Sequence, residues 1–117
     1  MILKLVLLGT LTITSYRPVP EQTKPECTDR HHCETSIGEN VSELGCAISR
    51  DLLKSGEVHY GDTVYIEGYG IRIVDDSMGP RATRALDMFV YTRAEEKKVG
   101  TRQRKVWLVK EPPIPLP

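Results

Sequence analysis

The run Ile71-Arg72-Ile73-Val74-Asp75-Asp76-Ser77-Met78-Gly79-Pro80-Arg81, followed by Ala85-Leu86-Asp87-Met88-Phe89-Val90-Tyr91, sets two apolar segments on either side of a hinge. The first alternates over Ile71–Val74 as a half-buried strand does, and the second is apolar except for Asp87. A carboxylate in such a strand costs free energy unless it is exposed, paired or kept for chemistry. Asp87 is therefore the residue to explain, and Asp76, eleven positions earlier, is its companion acid. Each also has an ordinary reading. Asp76 suits a turn residue that bonds its own backbone, and Asp87 suits a charge on an exposed sheet edge. Of the adjacent pair, Asp75 is expected to face solvent.

Before this stretch, Thr63-Val64-Tyr65-Ile66-Glu67 reads as a strand joined through Gly68-Tyr69-Gly70 to Ile71–Val74, a hairpin. Leu44-Gly45-Cys46-Ala47-Ile48 is a short apolar strand, and Arg50–Ser55 is a single helical turn stopped by Gly56. Residues 3–16 read as one long or two short strands, stopped by Pro18 and Pro20, and the polar stretch 17–43 reads as a long loop. After the Asp87 segment, Thr92 and Glu95 have capping-box spacing and Gly100 closes a short helix. Lys105-Val106-Trp107-Leu108-Val109-Lys110 is the last strand, with Trp107 expected in the core. The proline-rich tail 111–117 cannot join a sheet interior and is expected to be extended and exposed. The whole is mainly β, a small six-stranded barrel with one or two short helices.

The bulk numbers fit one domain of 117 residues with a modest core. Lysine plus arginine equal aspartate plus glutamate at 16 each, which gives no argument for a nucleic-acid partner or an anionic membrane surface. The opening MILKLVLLG has the lysine and apolar run of a targeting segment, but it is too short to span a bilayer. Its alternation runs on through Leu11–Tyr16, so residues 1–10 read as an N-terminal strand or the remnant of a targeting segment. Three cysteines are present. Cys27 and Cys33 bracket His31 and His32, which leaves a small metal site, a loop disulfide and free thiols as readings, and the spacing matches no common zinc pattern. Cys46 sits in an apolar run as a small buried filler. No cofactor is indicated.

Taken in order, Thr14-Ser15-Tyr16, Thr35-Ser36-Ile37-Gly38, Ala47-Ile48-Ser49, Gly61-Asp62-Thr63-Val64-Tyr65-Ile66, Asp76-Ser77, Leu86-Asp87-Met88 and Val106-Trp107-Leu108 resemble the three-aspartate (3D) domain. The resemblance covers residues 11–110. It implies a double-psi β-barrel of the kind found in bacterial cell-wall proteins and at the C-terminus of membrane-bound lytic transglycosylase A. It further implies non-hydrolytic cleavage of the MurNAc–GlcNAc bond of peptidoglycan, leaving 1,6-anhydro-muramoyl ends, in the bacterial envelope or a phage-associated setting. By that resemblance Asp87 is the catalytic acid/base and Asp76 assists it. Thr35 matches a threonine that helps hold the sugar, and Tyr16, Ser49, Asp51, Ser77 and Arg81 join it on the substrate side. The family's first aspartate is replaced by Ser49, with Asp51 two residues later.

Physical chemistry is consistent with these roles. A glycosidase normally needs two carboxylates, whereas a lytic transglycosylase manages with one. The acid protonates the glycosidic oxygen, and the resulting carboxylate then takes the proton of the muramoyl C6 hydroxyl as the ring closes. Such an acid needs a raised pKa, which burial among Leu86, Met88 and Phe89 and a neighbouring charge at Asp76 would supply. Tyr16 and Tyr69 are candidates to stack on sugar rings. The rival reading is a catalytically silent barrel that binds cell-wall glycan or serves as a structural module of an envelope or phage assembly.

Overall fold

The computed structural model describes residues 3–19, 22, 33–35, 37 and 44–110. These form β1 (Lys4–Tyr16), β2 (Gly45–Ile48), α1 (Arg50–Ser55), β3 (Thr63–Ile66), β4 (Gly70–Ser77), β5 (Ala85–Phe89), α2 (Arg93–Val99) and β6 (Arg102–Lys110). Local sequence explains most boundaries. Gly56 ends α1 in the left-handed conformation, and its N–H reaches Leu53 O. Thr92 caps α2: its Oγ1 accepts from Glu95 N at 3.1 Å, and the Glu95 side chain turns back to accept from the same hydroxyl at 2.9 Å. β3 and β4 pair antiparallel across the Gly68–Gly70 turn, as the hairpin reading expects. β1 is one strand, so the stretch 4–10 is extended and sheet-paired. β6 begins at Arg102, three residues before Lys105, where the sequence reading starts it.

The strands close into a six-stranded mixed barrel in the order β1-β5-β2-β4-β3-β6. Two pairs are parallel, β1 with β5 and β2 with β4, and the rest are antiparallel. Advancing every strand number by three carries this order onto itself. β1–β5 becomes β4–β2, β1–β6 becomes β4–β3, and β2–β5 and β3–β6 map onto themselves. The barrel thus has a topological two-fold symmetry that no sequence repeat announces. One end of that axis lies between β2 and β5, and the other lies between β3 and β6.

The barrel is filled by Leu11, Ile13, Cys46, Ile48, Val64, Ile66, Val74, Leu86, Met88, Val106 and Leu108, with Leu52, Val58 and Val99 adding to the same cluster. A second, smaller cluster of Tyr16, Cys33, Ala47 and Phe89 packs separately from it. Cys46 is the buried free thiol expected of a filler. Trp107 is not in the core. Val106 and Leu108 take the inward positions, and Trp107 stands half-buried on the outside, its ring 5.9 Å from that of Tyr65. The tail 111–117 lies outside the described residues, as do Cys27, His31 and His32. Among the described residues no helix is long and apolar enough to cross a membrane.

Candidate functional site

The strand register assembles the site. Thr14 of β1 lies opposite Asp87 of β5, Asp87 opposite Ala47 of β2, and Ala47 opposite Asp76 of β4. Residues directly opposite one another share a face of a sheet. Thr14, Asp87, Ala47 and Asp76 therefore form one row, with the two aspartates on either side of a methyl group. Two strand spacings put their Cα atoms about 10 Å apart. The small side chain between them leaves room for a ligand to reach both.

β5 carries Asp87 within the closed ring, paired on both sides, and not on an edge. Leu86 and Met88 point into the barrel, so the burial of Asp87 comes from the outer layer rather than from these neighbours. Its carboxyl is pushed up to about 6, first by burial and further by the charges of Asp76 and Glu96, while a hydrogen bond from Thr14 opposes the rise. Thr14 Oγ1 donates that bond to Asp87 Oδ1 at 2.8 Å. Asp76 lies in β4 rather than in a turn; its Oδ1 accepts from the neighbouring Ser77 N at 2.8 Å, and its register beside Ala47 brings it to the row.

The row opens into a cleft of about 400 Å3, lined by Tyr16, Cys33, Glu34, Ala47, Arg50, Asp76, Ser77, Met78, Gly79 and Asp87, with Gln22 at its wall. Among the site residues proposed from sequence, Asp87, Asp76, Tyr16 and Ser77 meet here. The Tyr16 ring is held edge-on to Phe89, centroids 5.6 Å apart, and is almost fully enclosed, so it offers no open face for a sugar to stack upon. Its hydroxyl has no hydrogen-bond partner among the described residues. Burial, with the charges of Asp75, Asp76 and Asp87, raises its pKa well above the ordinary range and keeps it protonated. Tyr69 is occupied by the Arg104 guanidinium, 6.0 Å from its ring centre.

The remaining candidates sit elsewhere. Ser49 is fully buried and stitches β2 to β5: its N–H donates to Ala85 O and its Oγ accepts from Ala85 N, both at 3.0 Å. Asp51 accepts from Arg84 N at 3.1 Å. Against a burial penalty, its hydrogen bonds with the Ser49 side chain and with backbone N–H groups hold its carboxyl below the ordinary value. It fastens α1 to the chain entering β5 and does not line the cleft. Arg81 is exposed. Thr35 is buried, its Oγ1 unpartnered among the described residues, two residues beyond the cleft-lining Cys33. Cys33 is disulfide-bonded, so its sulfur is not available as a thiolate metal ligand.

Asp75 is buried, contrary to the expectation that it faces solvent. The pairing of β2 with β4 shifts between Cys46 and Ala47, where Val74 and Asp76 are the successive partners and Asp75 is the extra residue. Asp75 settles against Gly45, whose absent side chain makes the space. A Cβ built there would lie 2.5 Å from Asp75 Oδ2.

Sequence reasoning gave no role to Thr14, Ala47 or Arg50. Thr14 stood in a quoted motif, but only the parallel β1–β5 register brings it to Asp87. Arg50 begins α1 and is anchored at the cleft by its Nε, which donates to Met78 O at 2.9 Å. No family model matches this chain, and no curated protein matches it.

Proposed function

We propose that the chain is a peptidoglycan lytic transglycosylase of the three-aspartate barrel type, with Asp87 as its single acid/base. The observation that carries this reading is the Asp87 carboxyl itself. It lines a cleft, is raised to about 6, and shares a row with a second aspartate. A carboxyl with that pKa is protonated in a useful fraction near neutrality and becomes a competent base once it has given its proton away.

In the first half of the reaction the Asp87 proton passes to the glycosidic oxygen and the C1–O bond breaks, giving an oxocarbenium-like centre on the muramoyl residue. The Asp87 carboxylate then accepts the C6 hydroxyl proton as O6 bonds to C1. Asp87 is thereby returned to its starting form, and no water is consumed. Asp76 raises the proton affinity of Asp87 through its charge, and Thr14 fixes the carboxylate while moderating that rise. The proposed steps call for no cofactor. A disulfide at Cys33 supports an oxidising, extracytoplasmic setting, where peptidoglycan is met.

The test is digestion of purified peptidoglycan, with mass analysis of the released fragments. The expected products are anhydro-muramoyl ends that disappear in Asp87→Asn. Reducing ends in their place would identify a hydrolase. Binding to insoluble wall without any release would leave the silent glycan-binding barrel, a reading that the purely structural use of Ser49 at the family's first aspartate position favours.

A further inference from the structure

The outer surface at the opposite end of the two-fold axis has a different character. Leu5, Val109, Thr63 and Ile73 lie opposite one another in sequence across β1, β6, β3 and β4, and Leu7, Trp107, Tyr65 and Ile71 form the next outward row. Seven of these eight residues are apolar and none is charged. Leu5 is 53% exposed, Leu7 56% and Ile71 49%, with Ile73, Tyr65 and the preceding Leu3 also open to solvent. These six side chains together leave roughly 600 Å2 of surface in water, the upper end of what the largest apolar patch on a monomer shows. The half-buried Trp107 and Val109 fill the space between them.

The patch continues along the start of β1. β1 pairs with β5 only from Thr12 onward, whereas its pairing with β6 starts at Lys4. Among the described residues no strand covers the other edge of residues 4–7. Lys4 is the only charge in the run from Leu3 to Gly9 that would blunt it.

We propose that this face is a homodimer interface, in which the β6–β3 surfaces of two copies pack against each other about a two-fold axis. Area is the first argument. Roughly 600 Å2 of apolar surface, before any rim is counted, approaches the ~800 Å2 per partner of a standard interface. The composition, aliphatic with a Tyr–Trp pair and no charge, is that of a homodimer core rather than of a wet transient contact. A single continuous apolar patch also meets the requirement of a two-fold contact, which must be complementary to itself. Charge argues against an anionic lipid surface, because the chain is formally neutral and the rows contain no lysine or arginine. Pairing here leaves the catalytic cleft free in both copies, since β3 and β6 lie across the barrel from β2 and β5.

Light scattering after size-exclusion, together with sedimentation velocity at tens of micromolar, tests the proposal on the full chain. The expected mass is twice that of the monomer, falling to the monomer value in Leu7→Lys/Ile71→Lys. A Lys98→Glu control, on the exposed face of α2, keeps the dimer. Circular dichroism verifies that the double variant is folded. As an independent readout that needs no variant, emission from Trp107, the chain's only tryptophan, shifts to the blue and loses acrylamide quenching as concentration rises. A monomer across that range, or a dimer that survives the double substitution in folded protein, overturns the proposal. So does a monomer that sediments with phosphatidylglycerol vesicles, which would assign the face to lipid. None of these outcomes depends on whether the cleft cleaves peptidoglycan.

Discussion

Replacing Asp87 by Asn should stabilise the protein at neutral pH while removing its proposed chemistry. The Asp87 carboxyl moves from 3.8 to about 6 on folding. At about 1.4 kcal/mol per pH unit, that displacement is worth about 3 kcal/mol against the folded state once the group is ionised. The sign follows from proton binding. Below the unfolded value, near 3.8, Asp87 is neutral in both states and contributes nothing. As pH rises from there through about 6, the unfolded chain ionises first, and stability is progressively lost. Asn carries no charge at any pH, and its side-chain oxygen still accepts from Thr14. Urea unfolding of both proteins between pH 3.5 and pH 8 measures the effect. The variant should be more stable by about 2–3 kcal/mol at pH 8, with the gap closing toward zero near pH 4. A gap that does not depend on pH, or an Asn variant less stable at pH 8, would refute the assignment of Asp87 as a carboxyl held against its ionisation.

Other perturbations act on the same row and its supports. Asp76→Asn removes a neighbouring charge that raises Asp87. The alkaline limb of the pH–rate profile for peptidoglycan release should then move to lower pH, with activity lost more at pH 7 than at pH 5. Thr14→Val removes the opposing hydrogen bond, so the same limb should move to higher pH. Gly45→Ala drives a methyl group against Asp75 Oδ2 and should cost about 1–3 kcal/mol in urea unfolding. Ser49→Ala strips the buried Ala85 N–H of its acceptor and should cost about 1–3 kcal/mol by the same measurement. Unchanged stability in Ser49→Ala would mean that the β2–β5 stitch is dispensable.

Where physics is local, the sequence is legible. The Thr92 cap with its Glu95 partner, the Gly56 stop and the Gly68–Gly70 turn are each decided within a few residues, and each is found where expected. Asp87 stands out in the sequence because a lone acid in an apolar strand needs a reason. The reason itself is not legible there. Thr14, Ala47 and Asp76 reach Asp87 only through pairings between strands far apart in the chain, two of them parallel. Asp75 shows the limit of period-two reading. Ile71 and Ile73 face out, so simple alternation puts Asp75 outward as well, but one extra residue in β4 reverses the parity and brings Asp76 to the surface row instead. Trp107 shows another limit. Over Val106–Val109 both faces of β6 are apolar, so nothing in that run states which one fills the barrel.

The Thr14–Asp87 contact joins residues 73 apart in the chain, and the parallel β1–β5 pairing that makes it also closes the barrel. Contacts of such separation form only after the chain has met the entropy of a long loop. The cleft is therefore a late product of folding. A ribosome-bound chain that has not yet delivered β5 carries an open sheet and no complete row of acid, partner and gap. If the proposed cleavage depends on this row, its recovery in refolding experiments should coincide with the slowest folding phase rather than precede it.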